Sequence, residues 1–95
     1  MSYRILAFHY PKAEHRSEMV ERIRRAVDVM AQVPGFISAE CWDELGGDTV
    51  VAVGSFDTKE AWLAAVQAVQ AAEVDFGYDE RETRPRLVQE FAAKK

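Results

Sequence analysis

Ninety-five residues make one small domain and leave no room for a second. A hydrophobic share of 48% beside 29% charged residues describes a folded globular chain and excludes a disordered one. The formal charge of −4 argues against a nucleic-acid partner, and the single Cys41 excludes an internal disulfide and offers no metal-ligand pair. No apolar run approaches a membrane span, and Met1–Tyr10 lacks the plan of a signal peptide, so the expectation is a soluble cytoplasmic protein without membrane contact.

Tyr3 to Tyr10 (YRILAFHY) is a short apolar and aromatic run ended by Pro11, and it predicts a strand. From Ser17, read as an N-cap, Met19, Val20, Ile23, Ala26, Val27 and Met30 recur at helical spacing. Glu18, Glu21, Arg22, Arg24, Arg25 and Asp28 then form the solvated face, with Glu18–Arg22 and Glu21–Arg25 four apart. Pro34-Gly35 ends this helix. Phe36 to Glu44 and Thr49 to Phe56 predict two strands joined around Gly46-Gly47, a pair suited to the positive φ angles of a tight hairpin.

Asp57 with Glu60 three residues on matches a capping box for a second helix from Thr58 to about Ala72. Trp62, Ala65, Val66, Val69 and Ala72 share one face of it. Glu73 to Thr83 is charged but carries Phe76 and Tyr78. Arg84 to Phe91 predicts a last strand, with Pro85 near its start. The order β-α-β-β-α-β with right-handed crossovers gives an α+β, ferredoxin-like fold over residues 1–95: a four-stranded antiparallel sheet with both helices on one face.

A two-residue turn at Gly46-Gly47 sets residues symmetric about it opposite each other. Ile37, Ala39 and Cys41 then share the helix side with Ala52, Gly54 and Phe56, and Cys41 reads as a small buried hydrophobe. The other face carries Phe36, Ser38, Glu40 and Trp42 beside Val51, Val53 and Ser55. A sheet covered on one side only should be polar on the other, and this one is substantially apolar. A second copy of the chain is therefore expected to cover it, with Trp42 as interface filling or ligand contact. Glu40 reads as one half of an intersubunit ion pair with Arg4, Arg84 or Arg86, or as a catalytic carboxylate.

Three stretches resemble the antibiotic biosynthesis monooxygenase superfamily of dimeric α/β-barrel proteins. They are Val33-Pro-Gly-Phe-Ile-Ser-Ala-Glu-Cys-Trp42, Gly47-Asp-Thr-Val-Val-Ala-Val-Gly-Ser-Phe56 and Asp57-Thr-Lys-Glu-Ala-Trp62. The resemblance implies a homodimer whose open sheet faces meet, with a pocket in each subunit between sheet and helices. It implies either oxidation of an aromatic or polyketide-like substrate by oxygen without a cofactor, or haem degradation. The haem-degrading branch uses a strand asparagine, a tryptophan in the second helix and a histidine about ten residues beyond it. Trp62 matches that tryptophan, but Ala72 stands ten residues on, and the chain contains no asparagine at all.

The expected activity is thus a cofactor-independent monooxygenase, with a non-catalytic module binding a small apolar or aromatic molecule as the alternative. Trp62 would position the substrate and His9, with an ordinary pKa near 6.5, would accept its proton. Phe36 or Phe56 would complete the wall. Ser38, Ser55, Thr58 or His9 would hold the substrate oxyanion in place of the absent asparagine. Tyr78, with Phe76, would close over the pocket or clasp the partner. No P-loop, GxGxxG, nucleophile elbow or zinc spacing occurs, so neither metal nor nucleotide chemistry is expected.

Overall fold

Strands and helices follow in the predicted order. The computed structural model describes residues 2–75 and 77–94. In chain order it has β1 (Tyr3–His9), a 3₁₀ turn (Ala13–His15), α1 (Arg16–Met30), β2 (Phe36–Asp43), β3 (Val50–Phe56), α2 (Lys59–Ala71) and β4 (Leu87–Ala92). The strands form one antiparallel sheet in the order β2-β3-β1-β4, and the helices pack over its β2–β3 side. This is the ferredoxin-like arrangement, with an open sheet.

From Ser38 to Asp43 the β2–β3 register is the one expected from symmetry about Gly46-Gly47. The turn itself is wider: Glu44 N–H donates to Thr49 O at 3.0 Å, and Gly46 alone of the two glycines has positive φ, at 77°. At the start of β2 the register slips, so that Phe36 pairs with Phe56 while Ser38 pairs with Ser55. This bulge corrects the expected placement of two side chains. Phe36 turns to the helix side and meets Phe56 edge to face at 5.7 Å between ring centroids, while Ile37 is 55% exposed. One extra residue reverses the alternation, which is why a period of two misplaces both. Cys41 is likewise exposed, not buried, because β2 is an edge strand.

Two helix starts also differ from expectation. The turn at Ala13–His15 runs directly into α1, so Ser17 lies inside the helix and His15 takes the capping position without a side-chain bond. At α2 the cap is Thr58, whose Oγ1 accepts from Ala61 N–H at 3.1 Å, rather than Asp57. Asp57 instead donates its N–H to Gly35 O at 2.8 Å. Gly35 has φ of 95°, and a Cβ there would stand 2.5 Å from Asp57 Oδ1 and 2.6 Å from Ala61 Cβ. Only glycine lets the α1–β2 turn rest on the start of α2.

Buried apolar groups form two clusters, Ile5, Phe56, Ala61 and Ala65 beneath α2 and Met19, Ile23 and Val50 between α1 and β3. Alanines at the α2 contact let that helix lie close to the sheet. On the opposite face, Phe8 pairs with Val51 and Leu87, and Leu6 with Val53 and Gln89. Trp42 is 60% exposed there, and Leu87 and Phe91 are nearly half exposed. Among the described residues no helix is long and apolar enough to cross a membrane.

Candidate functional site: a cleft between sheet and helices

The middle of the helix-covered face carries small side chains. Ala7 of β1, Ala52 and Gly54 of β3 and Ala26 of α1 leave a gap that larger residues would fill, and the gap is an apolar cleft of about 70 Å³. Phe56 and Trp62 wall one end, with centroids 5.6 Å apart, and His9 stands among the lining residues. Trp62 and Met30 also border a second cleft of about 430 Å³, which runs along Val66, Val69 and Gln70 of α2 to Val74 and Gly77. The first cleft alone is too small for an aromatic ligand, whereas two joined clefts would fall within the usual ligand range of roughly 300–1,000 Å³.

His9, the last residue of β1, is only 1% exposed and faces the helix side of the sheet. Its Nδ1 lies 3.8 Å from Glu82 Oε1, and Glu82 Oε2 accepts from an Arg86 guanidinium N–H at 2.5 Å. Burial, reinforced by the positive charges of Arg86 and then Arg22, pushes the His9 pKa down from 6.5 to about 4. The imidazole is therefore neutral around pH 7.

Arg22 corrects the expected solvated face of α1, for it is 2% exposed. Its Nε donates to Asp75 O at 2.9 Å and a terminal N–H to Gly77 O at 2.7 Å, with Asp75 Oδ1 at 3.7 Å. The carbonyls of an irregular segment laid over the sheet need donors, and Arg22 supplies them. Glu18 accordingly pairs with Arg81 at 2.9 Å and with His15, not with Arg22. Arg81 also holds Asp75 and Asp79, keeping the Asp79 carboxyl well below the usual carboxylate range. The segment is further tied to the end of β1 by Lys12 N–H to Arg81 O and Thr83 N–H to Tyr10 O, each 2.8 Å.

Of the predicted site residues, His9, Trp62 and Phe56 meet at the cleft, and Phe36 packs behind Phe56. Ser38, Trp42 and Ser55 lie on the open face. Glu40 borders the cleft at the β2 edge, but its carboxylate accepts from Trp42 Nε1 at 2.9 Å on the open face. Ser55 Oγ accepts from Arg4 Nε at 3.1 Å, and the Thr58 hydroxyl is engaged as the α2 cap. Tyr78 is half exposed on the α2–β4 connection, and Phe76 lies outside the described residues.

Sequence reasoning gives Glu82 no role, sets Arg22 on the solvated face and offers Arg86 as a partner for Glu40, whereas Arg22 is buried and Arg86 pairs with Glu82. Arg22 alone carried a signal, since it stands three residues from Met19 and four from Ala26, at the margin of the apolar stripe. Among the described residues no group of His, Cys, Asp and Glu is placed to hold a metal ion.

Residues 2–74 match the antibiotic biosynthesis monooxygenase family. No curated protein sequence matches the chain. Solved structures do share its fold. A conserved protein from Methanosarcina mazei Go1 superposes with a TM-score of 0.85 at 13% identity, over 99% of this chain and 94% of that one. A variant of SnoaB, a cofactor-independent oxygenase from Streptomyces nogalater, superposes with a TM-score of 0.73 at 16% identity, over 99% and 94%. A variant of MhuD with two manganese protoporphyrin IX molecules bound per active site gives 0.74 at 19% identity, over 98% and 94%. At these identities the likeness is one of fold. The family match spans most of the sequence, so the chain belongs to the antibiotic biosynthesis monooxygenase family.

Proposed function

We propose that this protein is a cofactor-independent monooxygenase of a small aromatic substrate with an acidic hydrogen. The observation that carries the proposal is a neutral, buried imidazole at an apolar cleft walled by Trp62 and Phe56. With the two clefts joined beside Trp62 and Met30, the ring of a phenol or anthrone lies against Trp62 and Phe56, and its acidic hydrogen points to His9. The positive charges of Arg86 and Arg22 behind His9 favour the substrate anion as the proton leaves. That anion transfers one electron to dioxygen. The substrate radical and superoxide then combine through a new C–O bond, protonation gives a hydroperoxide, and loss of water leaves a carbonyl. Each turnover consumes one dioxygen and releases one water, converting the CH₂ of an anthrone to C=O or, for a phenol, the para C–H and the O–H to the two C=O groups of a quinone. The protein supplies binding, orientation and electrostatics.

Oxygen uptake with a panel of anthrones and hydroquinones tests the proposal. Uptake is expected with at least one of them, to be abolished in Trp62→Ala and lowered about 10²-fold in His9→Gln. The second reading, a non-catalytic binder, is favoured by the low basicity of His9, which suits hydrogen bonding better than proton abstraction. Ligand binding without uptake across the panel would select it.

The open face with Trp42, Leu87 and Phe91 is proposed to pair with the same face of a second copy. Sedimentation equilibrium at micromolar concentration is expected to return a dimer, and a monomer would remove that proposal.

A further inference from the structure

We propose that Glu82 and Arg86 act together as positioning residues for His9. Arg86 takes one oxygen of the Glu82 carboxylate and leaves the other facing Nδ1, which keeps the imidazole proton on Nδ1 and Nε2 as the acceptor. The inference rests on His9 being the polar group that meets the ligand, and extends that reading to what sets its tautomer and charge.

The geometry is a chain of three groups, two of them four residues apart and the third at the end of β1. Arg86 donates to Glu82 Oε2 at 2.5 Å, and Glu82 Oε1 faces His9 Nδ1 at 3.8 Å. The Glu82 side chain is fully buried and His9 nearly so, while Arg86 is mostly shielded. A carboxylate opposite one ring nitrogen favours the tautomer with its proton there, and at 3.8 Å the attraction is electrostatic, longer than a hydrogen bond. A free carboxylate in so dry a place would draw a proton onto the imidazole. With Arg86 on it, the carboxylate is already compensated. The charged groups facing this point are Arg22 from α1, itself held by Asp75, Glu82 from the α2–β4 connection, and Arg86 from the approach to β4. Burial first, and then the charges of Arg86 and Arg22, hold the His9 pKa down at about 4.

Nitrogen-resolved NMR titration of the intact chain tests the proposal, with His15 as reference. In the unsubstituted protein the expected result is a neutral His9 with its proton on Nδ1 at pH 7. Arg86→Met, which frees the carboxylate, is expected to raise the His9 midpoint by about one unit or more. Arg86→Lys keeps the ion pair and is expected to leave the midpoint unmoved. The double variant Glu82→Gln with Arg86→Met is expected to lose at least half of the rise, since Arg86 acts through Glu82.

An Nε2–H tautomer in the unsubstituted protein would overturn the proposal. So would an unmoved midpoint in Arg86→Met, a rise in Arg86→Lys as large as in Arg86→Met, or a double variant that keeps the full rise. Should Arg86→Met fail to fold, the native tautomer and Arg86→Lys decide. The readout is the imidazole itself, so it stands whether or not the protein consumes oxygen.

Discussion

The covered side of the sheet is built in two ways. Over β2 and β3 it meets regular helices, and the buried groups there are apolar: Phe56, Ala61, Ala65 and Ile23. At the end of β1 it meets the irregular connection between α2 and β4, and the buried groups are His9, Arg22 and Glu82, with Arg86 mostly shielded beside them. A helix satisfies its own backbone and asks only for a smooth apolar surface. An irregular segment brings carbonyls without helical or strand partners, so its neighbours must present donors, as Arg22 of α1 does, and those donors bring counter-charges. The proposed site sits at the seam between the two regions. That position gives it an apolar wall on one side and a polar tip on the other.

Four measurements would break or sharpen this contrast. Phe56→Ala strikes the apolar region, where Phe56 is fully buried against Phe36 and Trp62. It is expected to lower stability by about 3–5 kcal/mol in urea denaturation, chiefly through the cavity it leaves. Arg22→Leu strikes the polar region and should lower stability by about 2–3 kcal/mol, because two carbonyls of the connection lose their charged donor. Its signature is local: limited proteolysis should cut within residues 73–83 before the helices open. A neutral Arg22→Leu would dissolve the contrast drawn above.

The third measurement is thermal stability against pH. His9 has a folded pKa of about 4, below its ordinary 6.5, so the unfolded chain binds the extra proton more readily. Its contribution is fully present above about pH 6.5 and is lost as pH falls from there to about 4, by roughly 3 kcal/mol in all. His9→Gln should flatten that part of the curve. The Asp79 and Glu18 carboxyls, held low by Arg81, lose their contributions as pH falls further, through the acid range. Thr58→Ala, outside both regions, is expected to cost about 1 kcal/mol as a lost helix cap. It sets the baseline against which the other three are read.

Much of the apolar region was legible in the sequence. The helical stripe through Met19, Ile23 and Ala26 is buried as its spacing requires, and Trp62 stands on the inward side of α2 as its spacing with Ala65 and Val69 requires. The hairpin register from Ser38 to Asp43 followed from the glycine pair. Phe36 was not legible, because a bulge at Ile37 leaves no mark in an alternating pattern. Glu82 and Arg86 were not legible for a different reason. Their meeting with His9 spans more than seventy residues of chain, and a charged loop residue reads as solvated unless its partner is known.

By itself the sequence determined the order of strands and helices, the hairpin register and the surplus of apolar surface on the open face of the sheet. Local propensity, turn chemistry and the periods of 2 and 3.6 act over a few residues and can be read one segment at a time. Only the tertiary structure decided that His9 is buried and neutral, that Arg22 turns inward, and that a cleft opens beneath Trp62. Each of these depends on desolvation and charge shared among groups distant in the chain, and that environment exists only once the chain has folded.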